Sequence, residues 1–525
     1  MKETTPEQSE SPTMNTGGLV ASHGSEAALA GRPDQLKEGR AACREESDSA
    51  IVVRDGRTDH KAKGWAERNR SQSTHATGRN APVKSVSSAL TALNRKAVEN
   101  PKYRFKDLYR QLNLQALYES FSQLKKNAAP GVDGVTYEAY EENLDENLRG
   151  LLERLKAKRY RAQHVKRSYI PKGEGKLRKL GLLALEDKIV QHAASRILES
   201  IYEADFSDRS LGYRRGQPGA REASKQLGNE LRDGTYRWIV EADIRSFFDE
   251  MDHDWLTRML EQRIDDRAFI GLVRKWLKAG VLEPHSKQAD EPEAGTPQGG
   301  TVSPILANIY LHYVLDLWIE KVVRRQSRGE VIFMRYADDV IVGFATQKDA
   351  EAYLCALPQR LAKFHLRVAE EKSGLVKFNR WELKGNGTFC FLGFDFYWAP
   401  TRKNPRHRIV KRKTSKKKYR SSLRGMKDWL KKSRSWPLKM ILSSLRRKLR
   451  GYWNYYCVIA NAKLTWGYHR AVLGLVFKWL NRRSQRKSYT WAKFLRHWNG
   501  DWQIPRPRVV EQWGYQNPQP EMNLA

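Results

Sequence analysis

From residue 331 to 344 the chain reads VIFMRYADDVIVGF, two apolar runs with a pair of carboxylates between them. A short apolar run bounded by turn residues is a buried strand, so the pattern predicts a tight β-hairpin with Asp338 and Asp339 at or beside its turn. A second apolar run, RWIVEAD, ends on Asp243 and passes through a turn into a helix. SYIPKGEGKLRKLGLL predicts another hairpin, two β-like runs around Gly173 and Gly175. Other segments carry the helical period. Ile189, Val190, Ala193, Ile197, Leu198 and Ile201 share one face, as do Leu306, Ile309, Tyr313 and Leu317. Ser303 and Pro304 suit an N-cap and first helical position before the latter. TFCFLGFDFYW is strand-like. Later, Leu438, Ile441, Leu442, Leu445, Leu449, Trp453 and Tyr456 recur every three or four residues beside Arg446, Arg447, Lys448 and Arg450. That is an amphipathic helix with a basic face, or else an ordinary solvated charged face. Strands and helices mix without regular alternation, so the fold class is α+β.

Residues 1 to about 85 break the pattern: polar and small residues dominate, with few large apolar side chains. Such a segment cannot offset its ordering entropy by burial and is expected to be disordered. Past residue 400 the composition turns basic, with Lys411, Arg412, Lys413, Lys416, Lys417 and Lys418 in one run, and residues 405–500 read as a basic helical domain.

Charge changes the picture further. The 525 residues carry 95 Lys plus Arg against 60 Asp plus Glu, a formal net charge of +35. An excess of that size points to a polyanionic partner, nucleic acid first, with a ribosome-associated or merely soluble basic protein as the bland alternative. The four cysteines, Cys43, Cys355, Cys390 and Cys457, are scattered and signal neither a zinc ribbon nor a disulfide framework, which fits a reducing compartment. No apolar run is long enough for a membrane span, and the first residues do not read as a signal peptide.

Two adjacent acids between apolar strands repel each other and resist desolvation. Either they sit in a harmless exposed turn, where Asp is common, or a cation belongs there. Asp243 closes a neighbouring apolar strand, so three carboxylates from two strand ends could hold two Mg²⁺ ions, which prefer oxygen ligands. Two such ions roughly 4 Å apart suit phosphoryl transfer.

The residues also resemble a known family. YADD (336–339), ADIRSFFDEMDH (242–253) and GTPQGGTVSPILANIYLH (295–312) are similar to motifs of the reverse transcriptases encoded by group II introns. APGVDGVT, IPKGEGKLRKLG, EEKSGLVKF and FLGF follow the family's order, and LRGYWNYY (449–456) resembles its thumb, or maturase, domain. The resemblance covers about residues 85 to 500. It implies a right-hand polymerase: fingers at 86–235, palm at 236–400 and an α-helical thumb at 401–500. It further implies an RNA-directed DNA polymerase that binds intron RNA, assists splicing and copies the intron into DNA. A free-standing relative in repair or defence, or a non-catalytic RNA-binding splicing factor, are the rival readings.

Position by position, the resemblance implies that Asp243, Asp338 and Asp339, with the Ile244 carbonyl, hold the two Mg²⁺ ions. Phe248 falls at the family's steric gate against a ribose 2′-OH. Lys172 and Arg178 match residues gripping the deoxynucleoside triphosphate, Gln298 the segment against the nascent base pair, and Lys372 a lysine that protonates pyrophosphate. FLGF matches the primer grip, although its aromatics read equally as core. Arg209, Arg214 and Arg215 are expected on template phosphate, and His253 in a local hydrogen bond. The basic run at 411–418 and Arg446, Arg447, Lys448 and Arg450 would hold RNA and the DNA primer or target. The family's GIPT is GLLA here (181–184), and 501–525 lacks the pattern of an HNH endonuclease, so a C-terminal tail is expected. A nucleic-acid-bound, bacterial-type cytoplasmic enzyme with no membrane partner follows; the oligomeric state is unspecified.

Overall fold

The apolar runs become strands whose alternate residues feed two different cores. In the computed structural model, residues 86–511 are described, apart from 174–175, 285, 287, 383, 402–403 and 484–487; at 86–87, 172–173 and 176 only the backbone is. The expected disordered segment at 1–85 and the tail past 511 lie outside the described residues.

The central sheet holds β6 (Val331–Tyr336), β7 (Asp339–Phe344), β3 (Trp238–Ala242) and β8 (Gly374–Lys377), in that order and antiparallel throughout. Side chains alternate across a strand, so Val240, Phe333, Val340 and Val342 enter one core while Ile239, Ile332, Met334 and Ile341 enter another. Both faces are covered, which is why these strands read as continuous apolar runs.

The first core is completed by helices Val86–Glu99, Leu114–Ser122, Leu144–Lys156, Leu185–Tyr202, His253–Glu261, Arg267–Leu277 and Ser303–Leu311. Ser303–Leu311 is buried on every side and continues through two widened, π-helical turns, His312–Asp316 and Ile319–Val323. Its start differs from expectation by one residue. Val302 is the cap and Ser303 lies inside, its Oγ bonded to the Pro297 carbonyl at 3.0 Å. The second core packs helix Ala220–Asp233 against β9 (Phe389–Phe391) and β10 (Phe394–Pro400).

Two smaller sheets flank this body. One has the order β2-β1-β4-β5, where β1 (Val165–Gly173) and β2 (Lys176–Leu182) form the expected N-terminal hairpin, with β4 (Val281–Leu282) and β5 (Ala289–Asp290) beside it. The other has the order β11-β10-β9. Its β11 (Arg408–Thr414) corrects the expectation of a wholly helical region from about 405: the helices start only at Lys416. Register explains this, because Arg412 and Lys413 pair with Phe396 and Asp395 across β10.

Helices Lys416–Lys432, Leu438–Tyr456, Ala462–Leu480 and Trp491–Asn499 then enclose a third core. Leu445 and Leu449 are fully buried there, worth about 1.5–3 kcal/mol each. Trp502 and Ile504 pack into the same core, so 501–511 is docked chain rather than a loose tail. Among the described residues no helix is long and apolar enough to cross a membrane.

Candidate active site

Asp338 and Asp339 sit at the β6–β7 hairpin, whose two-residue turn Ala337–Asp338 is closed by the Tyr336/Asp339 pair. Ala337 takes φ 58°, a left-handed conformation costing roughly 1–2 kcal/mol for a residue with a Cβ. The turn is held from two sides. Beneath it, segment 209–211 runs parallel to β6: Arg335 N donates to Arg209 O at 2.8 Å and Leu211 N to Arg335 O at 2.9 Å. The next residue, Gly212, approaches so closely that a Cβ there would lie 2.3 Å from the Ala337 nitrogen. Only glycine fits.

The second hold is a buried charge. Arg335 has 0% exposure, and its guanidinium forks onto Asp316, Nε to Oδ1 at 2.7 Å and Nη2 to Oδ2 at 2.6 Å. Nη1 donates to Asn308 Oδ1 and to the Ala337 carbonyl, both at 3.0 Å. Asn308 Nδ2 donates in turn to Gly212 O at 2.8 Å. A buried ion pair is tolerated when its remaining donors are also bonded. Here the spare donors hold the turn that carries the acids. Asn308 and Asp316 escaped the sequence reading; the visible signal was a charged Arg335 inside an otherwise apolar run.

Asp243 arrives from β3. Ala242 pairs with Val340, so the next residue on β3 meets the hairpin at Asp339. The chain then bridges to Val368 at Ile244, using the Asp243 carbonyl and the Arg245 amide, a pattern that leaves the Ile244 carbonyl out of the bridge. Asp243 N donates to Ser373 Oγ at 3.2 Å, and Lys372 Nζ lies 2.5 Å from Asp243 Oδ2. That contact holds the Lys372 ammonium above its usual range.

Burial pushes the Asp339 carboxyl up to about 6, and the charges of Asp338 and Asp243 push the same way while Lys418 and Lys372 pull back. The three acids therefore share one field. As they stand they do not close into a cage: among the described residues no group of three or more His, Cys, Asp or Glu side chains is gathered to hold an ion. Lys372 is seated on one of these carboxylates. The donor set itself, oxygen only and mutually repelling, suits a hard divalent cation.

Other motifs close around this end. Phe247 is buried in the core, and Phe248 is half-buried against it at 5.3 Å between ring centroids. The Phe248 carbonyl accepts from Thr296 N at 2.8 Å, and His253 Nε2 bonds Gly295 O at 2.7 Å, so the turn after Asp243 is laced to the loop bearing Gln298. Gln298 O accepts from Gly181 N of β2 at 2.7 Å. Gly299 has φ 117° and faces the Gly181 carbonyl, where a Cβ would come within 2.7 Å. The N-terminal hairpin and the Gln298 loop are thus joined. Arg178 is exposed on β2, while the Lys172 side chain lies outside the described residues. Tyr213, half-exposed and missed by the sequence reading, links the two sides. Burial raises its hydroxyl, Asp338 adds to the rise and Arg178 opposes it.

The basic residues divide sharply. Arg214 is buried, bonded to Glu203 Oε1 at 2.8 Å and to the carbonyls of Ser207 and Ser210, so the expected phosphate contact is corrected to an internal ion pair. Arg209 is paired with Glu230, and Arg215 with Glu199 at 3.0 Å, the latter half-exposed. Arg412 is corrected likewise: it is 7% exposed, forked onto Glu511 and bonded to Ser224 Oγ at 2.6 Å. Lys416, Lys417, Arg447, Lys448 and Arg450 are exposed; Lys411, Lys413 and Arg446 are half-buried. Lys418 is exposed yet near enough to lower the Asp339 carboxyl. In FLGF, Phe391 and Phe394 are core and the Leu392 carbonyl accepts from Tyr455 Oη at 2.8 Å.

Three acids thus stand at adjoining strand ends of one sheet, a kind of donor set that can hold the divalent ions of phosphoryl-transfer enzymes. Residues 170–396 match the family described as reverse transcriptase (RNA-dependent DNA polymerase). The chain is 37% identical over 241 residues to the group II intron-encoded protein LtrA of Lactococcus lactis subsp. cremoris, covering 45% of this chain and 39% of that one. It is 34% identical over 252 residues to protein YkfC of Escherichia coli (strain K12), covering 42% and 65%. Nuclear intron maturase 2, mitochondrial, of Arabidopsis thaliana is 29% identical over 190 residues, covering 28% and 25%. The chain therefore spans about two fifths of the Lactococcus relative's length and just under two thirds of the Escherichia one's. It is similar to group II intron-encoded reverse transcriptases and maturases, over the stretch that builds the site.

Proposed function

We propose that the chain is an RNA-directed DNA polymerase that binds group II intron RNA, assists its splicing and copies it into DNA. The observation that carries this is the convergence of Asp243, Asp338 and Asp339 in one field at adjoining strand ends. Residues 86–235 act as fingers, 236–400 as palm and 401–500 as thumb, in the cytoplasm and on nucleic acid.

Asp243, Asp338, Asp339 and the Ile244 carbonyl would hold two Mg²⁺ ions. Such ions supply Lewis-acid activation of the primer 3′-oxygen and neutralise the leaving pyrophosphate. The chain's own residues position and discriminate. Arg178 and Lys172 take the negative charge of the incoming triphosphate. Phe248 stands where a 2′-OH would clash, favouring deoxynucleotides, and the Gln298 loop lies against the new base pair. As the 3′-oxygen, its proton released to solvent, bonds the α-phosphorus and the bond from that phosphorus to the oxygen bridging to the β-phosphate breaks, Lys372 Nζ gives its proton to the leaving pyrophosphate oxygen. A lysine is fully protonated at neutral pH without any help from a partner, so the proton is present once the side chain is free. Before this, Lys372 must leave Asp243, so its ion pair guards the carboxylate until substrate and ions arrive. Template and primer lie along the exposed basic helices.

Primer extension on an RNA template with Mg²⁺ and deoxynucleotides tests the reading. Synthesis by the wild-type chain and none by Asp338→Ala, with RNA binding retained, is the expected result. Equal synthesis by both would refute the assignment.

A further inference from the structure

At the opposite end of the central sheet lies a second basic site. β8 runs away from Asp243, with Gly374 paired to Glu241 and Lys377 paired to Trp238. Trp381 follows that far end. β3 alone separates the two ends by roughly 15 Å. Trp381 is 59% exposed, an unusual position for so large an apolar ring. Two guanidiniums flank it, Arg237 at 5.1 Å and Arg380 at 5.4 Å from the ring centroid. With Arg380, Arg406, His407 and Arg408 it lines a cleft of about 370 Å³.

Two of the arginines are held in place. Arg408 Nη1 donates to the Arg380 carbonyl at 2.6 Å, and Arg380 donates to the Arg232 carbonyl while covering Trp398 at 5.3 Å. The nearby acids are engaged elsewhere: Glu382 with Lys377 at 2.7 Å and Asp233 with Arg232 at 2.7 Å. An exposed indole beside several cations is the combination that holds an unpaired base and its phosphate, by stacking and by charge. A purely acidic peptide would need the cations but not the ring.

We propose that this cleft binds one unpaired nucleotide of a single-stranded polynucleotide, with the base stacked on Trp381 and the phosphate on Arg406 and His407. The site is separate from the polymerisation centre and anchors strand that is not being copied. The idea rests on reading the chain as a nucleic-acid polymerase.

The test uses the full chain and a primer–template with a short templating overhang, either untailed or carrying a long single-stranded tail at the template end that is not copied, in ribo and deoxy versions. Trp381→Ala weakens binding of the tailed duplex about tenfold, the size expected for one stacked base. Trp381→Phe restores most of it, Arg406→Gln lowers the salt dependence by about one charge, and binding and extension of the untailed duplex stay as in wild type. A photo-crosslink from a thiouridine in the tail lands on the 380–382 peptide. Deoxy tails behaving as ribo tails mark a site for any single strand; a ribo-only effect marks an RNA site; either supports the proposal. Equal affinity of Trp381→Ala and wild type overturns it even if extension is intact, as does loss in Arg406→Gln alone, which marks a charge-only surface for an acidic peptide. Ring-dependent tail binding by a chain that extends no primer keeps the cleft and removes the polymerase reading.

Discussion

The central sheet and the C-terminal helices both contain arginine, and use it in opposite ways. Arg335 in β6 has 0% exposure and its side-chain bonds all go to protein atoms: Asp316, Asn308 and the Ala337 carbonyl. Arg447 and Arg450, on helix Leu438–Tyr456, are exposed above a core of Ile441, Leu445 and Leu449. The first charge shapes the protein; the second group is left for something outside it. Burial and partner, not residue type, separate a structural cation from a binding one.

The widest gap between the two regions should appear in catalysis. Asp339→Ala is expected to lose at least about a thousandfold in single-turnover primer extension, with RNA affinity unchanged. A loss under tenfold would dissolve the distinction. Stability comes next. Arg335→Met strands Asp316 without its cation and should cost about 3–5 kcal/mol by chemical denaturation. Adding Asp316→Leu should recover most of that, because the uncompensated buried charge is gone.

Interior titration sharpens the comparison on a smaller scale. Burial, with help from Arg215 and Arg196, lowers His192 to about 4. The unfolded chain protonates this histidine near pH 6.5, well before the folded one. Its contribution is therefore complete above that value and is lost as pH falls from 6.5 toward 4. Between pH 7 and 5 the loss should be roughly 2 kcal/mol, and urea melts of His192→Gln should lack that component. The smallest stability effect belongs to the exposed helix. Arg447→Gln, Lys448→Gln and Arg450→Gln together should shift stability by no more than about 0.5 kcal/mol. The slope of log affinity for RNA against log salt should nonetheless drop by about two. An unchanged slope would mean that these cations meet no phosphate.

The strands bearing Asp243 and the acidic pair were legible because their apolar runs are local and bounded. Helix Leu185–Tyr202 was legible for the same reason. Partners distant in the chain were not. Nothing near Arg412 announces Glu511, so it reads as a nucleic-acid contact, and nothing near Arg335 announces Asp316. Arg214 met Glu203 across a turn that periodicity does not describe. β11 looked helical because its residues are basic, a composition signal that says nothing of register. The seating of Lys372 on Asp243 depends on a crossing at Val368 that pairs residues more than a hundred apart.

Gly212 carries a consequence for how this sequence can drift. Most positions around the acidic hairpin tolerate trade: one aliphatic for another, or a neighbour's volume for their own. Position 212 has nothing to trade, since the atom in its way is main chain. In a library holding every amino acid there, selection for DNA synthesis should return glycine alone, while the exposed Tyr213 beside it admits several substitutes.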